Sequence, residues 1–102
     1  MKRVIVIGAG ASGLMAAYAA AKNGNDVLVI EKNEKAGKKI YITGKGRCNL
    51  TNDIEAKEFL ENVVNNRKFL TGCTHRYPPS WLIRFCEEGG LRLKTERGDR
   101  VF

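Results

Sequence analysis

A chain of 102 residues has room for about one small domain. A hydrophobic share of 43% sets intrinsic disorder aside, and no apolar run nears the roughly 18 to 20 residues that cross a bilayer. The net charge of +7 raises the question of nucleic acid, but six of the 18 basic residues lie between Lys32 and Arg47 while the rest are interleaved with acids. That distribution suits a compact anionic ligand better than a long polyanion, so neither nucleic acid nor a membrane is expected as a partner.

The chain opens Met1-Lys2-Arg3, then Val4-Ile5-Val6-Ile7. Four apolar residues are too few for a signal-peptide core of about 7 to 15, so a cytoplasmic protein is expected. The same β-branched run predicts a parallel strand buried on both faces. Gly8 to Gly13 turns the chain, and Gly13 to Lys22, rich in alanine, predicts a helix with a surface small enough to lie close to a sheet. Gly24 sits where a glycine ends a helix, and Val27 to Ile30 predicts the second strand. Strand, helix and strand within about thirty residues make a βαβ unit.

Residues 32 to 52 read as loop, with a short strand about Ile40 to Ile42. A helix is expected from Asn52 or Asp53 to about Asn65, with Ala56, Phe59, Leu60, Val63 and Val64 on one face. A second runs from Pro79 or Ser80 to Glu88, with Trp81, Leu82, Phe85 and Cys86 inward and Gly89-Gly90 after its end. Leu91 to Thr95 and Arg100 to Phe102 predict two strands about an Arg97-Gly98-Asp99 turn.

Gly8-Ala9-Gly10-Ala11-Ser12-Gly13 is a GxGxxG sequence between a predicted strand and a predicted helix, and Glu31 follows at the end of the second strand. Each part has a chemical reason. Gly8 permits the tight turn, Gly10 lets backbone meet a pyrophosphate, and Gly13 lets the helix approach the strand. The helix start, Ala11 and Ser12 included, offers unpaired N–H groups to phosphates. Glu31 can accept hydrogen bonds from ribose hydroxyls and would repel a 2′-phosphate, which disfavours NADP at this site. These residues alone leave NAD and FAD open, because both carry ADP.

The next segment separates them. Glu31 is followed by Lys32-Asn33-Glu34-Lys35-Ala36-Gly37-Lys38-Lys39-Ile40 and then by Thr43-Gly44-Lys45-Gly46-Arg47-Cys48-Asn49-Leu50-Thr51-Asn52. This resembles the N-terminal region of the BaiN-like (YhiN-type) bacterial flavoproteins, described as aminoacetone oxidase family FAD-binding enzymes or NAD(P)/FAD-dependent oxidoreductases. Glu96 to Phe102 resembles a later stretch of the same family, so the likeness covers essentially the whole chain. It implies FAD as cofactor, with Gly8, Gly10, Ser12 and Gly13 as pyrophosphate loop and Glu31 as the ribose-binding acid. Lys32 and Lys39 match basic positions after that acid. Thr43, Gly46, Arg47 and Asn49 match a segment expected beside the flavin, where Arg47 could neutralise charge and the glycines could let N–H groups approach. Lys45 stands where the family often has glycine. Asn49, Thr51 and Asn52 could instead fix the loop through their own hydrogen bonds.

The expected fold class is therefore α/β: a Rossmann-type βαβ FAD/NAD(P)-binding domain, incomplete, with parallel strands, an Ala-rich crossover helix, added helices and a C-terminal β-hairpin. Residues 1 to 102 read as the N-terminal portion of such a domain, a fragment whose substrate domain lies elsewhere. The expected function is the FAD-binding portion of a flavin-dependent oxidoreductase. A small-molecule substrate and NAD(P)H are expected partners of the whole protein. A truncated NAD-dependent dehydrogenase and a non-catalytic nucleotide-binding module or decayed gene product are the alternatives, and this chain alone is expected to be inactive. Cys48, Cys73 and Cys86 form no CxxC pair, and with His75 they make no zinc set, so reduced thiols and no metal are expected. His75 reads as a solvated residue and Cys48 as a packing residue.

Overall fold

The computed structural model describes all residues from Met1 to Phe102, as two compact units, 1–48 and 49–102. In the first, β1 (Arg3–Ile7) and β2 (Asp26–Ile30) pair in parallel, Val4 opposite Val27 and Val6 opposite Val29. Helix α1 (Ala11–Lys22) connects them, and the predicted βαβ unit is present. Among the half-buried positions of α1, Gly13, Ala17 and Ala20, spaced four and three residues apart, give it a narrow small-residue face. A methyl group at Gly13 would overlap the Gly8 carbonyl and lie 3.5 Å from Val6 Cγ1, which places α1 on the Val4–Val6 face of the sheet.

The C-terminus of α1 shows why the chain reverses there. Gly24 takes φ +84°, its N–H reaches Ala21 O at 3.0 Å, and the N–H of Asn25 reaches Ala20 O at 3.2 Å. This crossed pair satisfies two terminal carbonyls and needs a left-handed residue between them. Outer strand ends are joined by the ion pair of Arg3 with Asp26.

The strands depart from the sequence reading on one point. Both show alternating exposure, and Ile5, Ile7, Leu28 and Ile30 are exposed, Ile7 to 85%. A β-branched run satisfies burial on one face as readily as on two, so composition could not tell these apart. A second difference lies at residues 40 to 42. Instead of a strand, the chain forms α2 (Lys38–Ile42), started by Gly37 at φ +69° and followed by a tight turn over Thr43–Gly46. No strand lies alongside these residues to pair with, while Tyr41 N–H finds Gly37 O at 2.9 Å and closes a helical turn.

The second unit is a small three-stranded antiparallel sheet with three helices. Its strands are β3 (Thr51–Asn52), β4 (Thr95–Glu96) and β5 (Arg100–Val101), with β5 central. The predicted hairpin is β4–β5, shorter than expected, and Lys94 and Phe102 extend it by exchanging two backbone bonds at 3.0 and 2.9 Å. The long helix expected to Asn65 stops early. Helix α3 (Ala56–Glu61) ends where Asn62 Nδ2 donates to Glu58 O at 2.9 Å, and Val64 is 91% exposed. A further helix, α4 (Arg67–Arg76), begins after Asn66 in the left-handed region. Its apolar residues Phe69, which is exposed, and Leu70, which is half-buried, are too few to form a stripe readable in sequence.

Helix α5 (Pro79–Glu88) lies as expected, with Cys86 buried and Trp81 stacked on Phe85 at 5.3 Å. Val101, Leu60, Cys86, Thr74 and Pro79 are the buried centre of this unit. No helix is long and apolar enough to cross a membrane.

Candidate functional site

The N-terminus of α1 is built by the glycine sequence. Gly8 takes φ +101°, a conformation that suits glycine, and its N–H donates to Ile30 O at 2.7 Å. Gly10 caps the helix without any side-chain bond, and the first bond of the helical ladder runs from Leu14 N–H to Gly10 O at 2.9 Å. The N–H groups of Ala11, Ser12 and Gly13 precede that bond and point out of the helix end with its positive dipole. No atom lies within 4 Å of where a Cβ on Gly10 would stand. The space beside Gly10 and these donors is therefore open.

Ala9, between the two glycines, is 2% exposed and tied on both sides. Its N–H donates to Glu31 Oε1 at 2.8 Å, and its carbonyl accepts the N–H of Gly37 at 2.7 Å. The other oxygen of Glu31 accepts from Asn33 N–H at 2.8 Å. These two backbone donors, Ala9 first and then Asn33, hold the Glu31 carboxyl below the usual glutamate value, with Lys32 adding to the same direction. Glu31 is thus ionised and fixed at the mouth of the glycine turn, with lone pairs left for hydroxyl donors. Ala9 and Gly37 were no part of the site read from sequence; Gly37, a glycine six residues after the acid, was the signal available for it.

The remaining expected positions fall into two groups. Lys32 follows Glu31 directly and is exposed; Lys39 is exposed on α2. The first unit carries half of the 18 basic residues but only three of the 11 acids, which gives it a positive field around the glycine loop. In the Thr43–Gly46 turn, Gly44 and Lys45 are both left-handed and Gly46 has φ +90°. The Thr43 hydroxyl donates to Ile40 O at 2.9 Å and so caps α2. The N–H groups of Arg47 and Cys48 return to Gly44 O and Thr43 O at 3.2 and 2.9 Å, so these two donors close the turn on itself.

Asn49 belongs to the second unit, where its Nδ2 donates to Thr51 O and Val101 O at 3.2 and 3.1 Å. Asn52 Nδ2 similarly donates to Gly98 O at 3.2 Å. The loop-fixing alternative is the arrangement seen for both asparagines. His75 Nδ1 lies 2.9 Å from Thr71 O in the last turn of α4 and therefore carries the proton there. It lines a cleft of about 340 Å³ together with Asp53, Glu55, Glu58 and Asp99. Such an acidic lining opposes a pyrophosphate, and no group of three acids, histidines or cysteines stands where a metal ion could be held. Cys48, Cys73 and Cys86 are free thiols.

Comparison with known proteins identifies a family and relatives of this chain. The profile of the HI0933-like protein Rossmann domain matches residues 2–102. A 3-dehydro-bile acid delta(4,6)-reductase of Clostridium scindens is 47% identical over 74 residues, which is 63% of this chain and 18% of the relative. A ribosomal RNA dihydrouridine synthase of Haemophilus influenzae is 36% identical over 99 residues, 96% of this chain and 24% of the relative. An L-amino acid oxidase of Cerastes cerastes is 49% identical over 39 residues, 38% of this chain and 8% of the relative. The chain spans about a quarter or less of the length of these relatives, of which the reductase and the oxidase are redox enzymes by name.

Proposed function

The chain belongs to the HI0933-like Rossmann domain family, and from that premise we propose that it is the FAD-binding portion of a flavin-dependent oxidoreductase. The observation that carries this reading is the start of α1: three unpaired N–H groups, an empty position beside Gly10, and the Glu31 carboxylate at the turn. Ala11, Ser12 and Gly13 bind the pyrophosphate through backbone N–H groups, and the charge of Lys32 and Lys39 draws the anion in. Glu31 orients the adenosine ribose by accepting from its hydroxyls, and its negative charge repels a 2′-phosphate. Arg47, with Thr43 and Gly46, stands toward the flavin side of the ligand; Asn49 contributes by holding the adjoining chain. A bound flavin supplies the electron transfer.

We infer for the whole protein a flavin-dependent oxidoreductase acting on a small-molecule substrate, with NAD(P)H as a candidate partner; the reductase and the oxidase among the relatives support the redox class. Their named substrates, a bile acid and ribosomal RNA, differ too widely to choose one. The domain is read as residues 1 to 102 of a longer cytoplasmic flavoprotein.

Backbone amide chemical shifts of the isotopically labelled chain, titrated with FAD, NADH and NADPH, test this reading, because the method registers even millimolar binding. FAD is expected to perturb Gly8 to Gly13 and Glu31 at lower concentration than NADH, and NADPH at the highest of the three. Perturbation by NADPH before FAD, or an unmoved glycine loop at millimolar FAD, refutes it.

A further inference from the structure

We propose that Gly37 is a positioning residue of the dinucleotide site: its N–H grips the Ala9 carbonyl and presets the glycine loop without touching the ligand. The inference rests on the reading of this loop as the pyrophosphate site.

Ala9 is the buried hinge of the loop, and its peptide groups are held from two directions. Glu31 Oε1 takes its N–H at 2.8 Å, and Gly37 N–H takes its carbonyl at 2.7 Å. With Gly8 N–H on Ile30 O at 2.7 Å, the loop is fixed at consecutive residues before any ligand arrives. Such preorganisation reduces the ordering that binding must otherwise supply. Gly37 also starts α2, because its own carbonyl accepts Tyr41 N–H at 2.9 Å. One residue therefore sets both the shape of the phosphate loop and the course of the segment that carries Lys39.

Glycine is needed there for its backbone. Gly37 has φ +69°, where L-residues with a Cβ are disfavoured. Space is not the constraint: a Cβ would meet Ile40 Cδ1 and Leu14 Cδ1 at 3.8 Å, ordinary contact. Gly37→Ala thus tests the conformation alone, and Gly37→Asn, which tolerates the left-handed region, is its rescue. Gly24→Ala is the control. It carries the same kind of strain at φ +84° at the far end of α1, also with open space around it.

The experiment measures two things on the wild-type chain and the three variants: exchange of the Ala9 and residue-37 amides without ligand, and FAD affinity from the amide titration. Gly37→Ala is expected to exchange both amides faster and to bind FAD about five- to thirty-fold more weakly, the range for strain of this kind. Gly37→Asn is expected to recover most of both. Gly24→Ala is expected to leave the Ala9 amide and FAD affinity within about twofold of wild type while lowering overall stability. Unchanged Ala9 and residue-37 exchange in Gly37→Ala, or equal loss in Gly24→Ala, overturns the proposal. Should the wild-type chain leave its glycine loop unmoved by FAD, the cofactor reading fails, and ligand-free exchange still decides whether Gly37 holds the loop.

Discussion

Replacing Gly13 by alanine puts the close approach of α1 to β1 under direct test. The added Cβ would overlap the Gly8 carbonyl oxygen, stand 2.9 Å from the Gly8 carbonyl carbon and 3.5 Å from Val6 Cγ1. The last contact is ordinary; the first two are with backbone, which cannot rotate away. Gly8 cannot yield easily either, since its N–H is bonded to Ile30 O at 2.7 Å. Relief requires α1 to lift from the sheet or the glycine turn to open. Overpacking of this kind costs about 1 to 3 kcal/mol and sometimes more, against about 1 kcal/mol gained from replacing glycine by alanine in a helix. With backbone as the obstacle the upper end applies, and the net loss is about 2 kcal/mol, roughly a thirtyfold change in the folding equilibrium. Urea denaturation, read through exchange of the β1 and β2 amides, measures it for this unit. A Gly13→Ala chain as stable as wild type would refute the helix–strand contact from which the glycine loop takes its shape.

Gly10→Ala should behave oppositely: with φ −81° and no atom near its Cβ position, stability should stay within about 0.5 kcal/mol. FAD affinity should fall at least about tenfold, or 1.4 kcal/mol, in the amide titration, because the methyl group occupies the phosphate space. Glu31 has a depressed folded value, so its stabilisation of the loop is full above the ordinary glutamate value of 4.5 and is lost as pH falls through the lower folded value. The Ala9 amide shift should therefore titrate below 4.5 in wild type and stay flat over that range in Glu31→Gln. Gly72, within α4 and with nothing within 4 Å, should gain about 0.5 to 1 kcal/mol when changed to alanine, as thermal unfolding of the second unit would show.

The amino-acid sequence by itself determined β1, α1, β2 and the glycine turn, because those depend on neighbours close in the chain. A β-branched run, an alanine-rich helix and glycines at fixed offsets each carry their own local preference. Helix α5 was legible for the same reason, with proline at its start and glycines after its end. The expectation of FAD over other dinucleotides rested on the family likeness of the Thr43 to Asn52 block, not on a local structural preference.

Tertiary structure decided the rest. Ile40 to Ile42 have the composition of a strand, yet a strand needs a partner, and Gly37 offers a helical turn instead. Helix α4 escaped notice because Phe69 and Leu70 are too few to make an apolar stripe, and Asn49 proved to hold β5, fifty-two residues away in sequence. The glycine loop shows the division most clearly. Sequence singles out Gly8, Gly10, Gly13 and Glu31 as a glycine turn and an acid that follows it, but Ala9 is buried and held by Glu31 and Gly37 only once the strands lie side by side. Hydrogen bonds between residues twenty or more positions apart depend on the folded path, which no local pattern encodes.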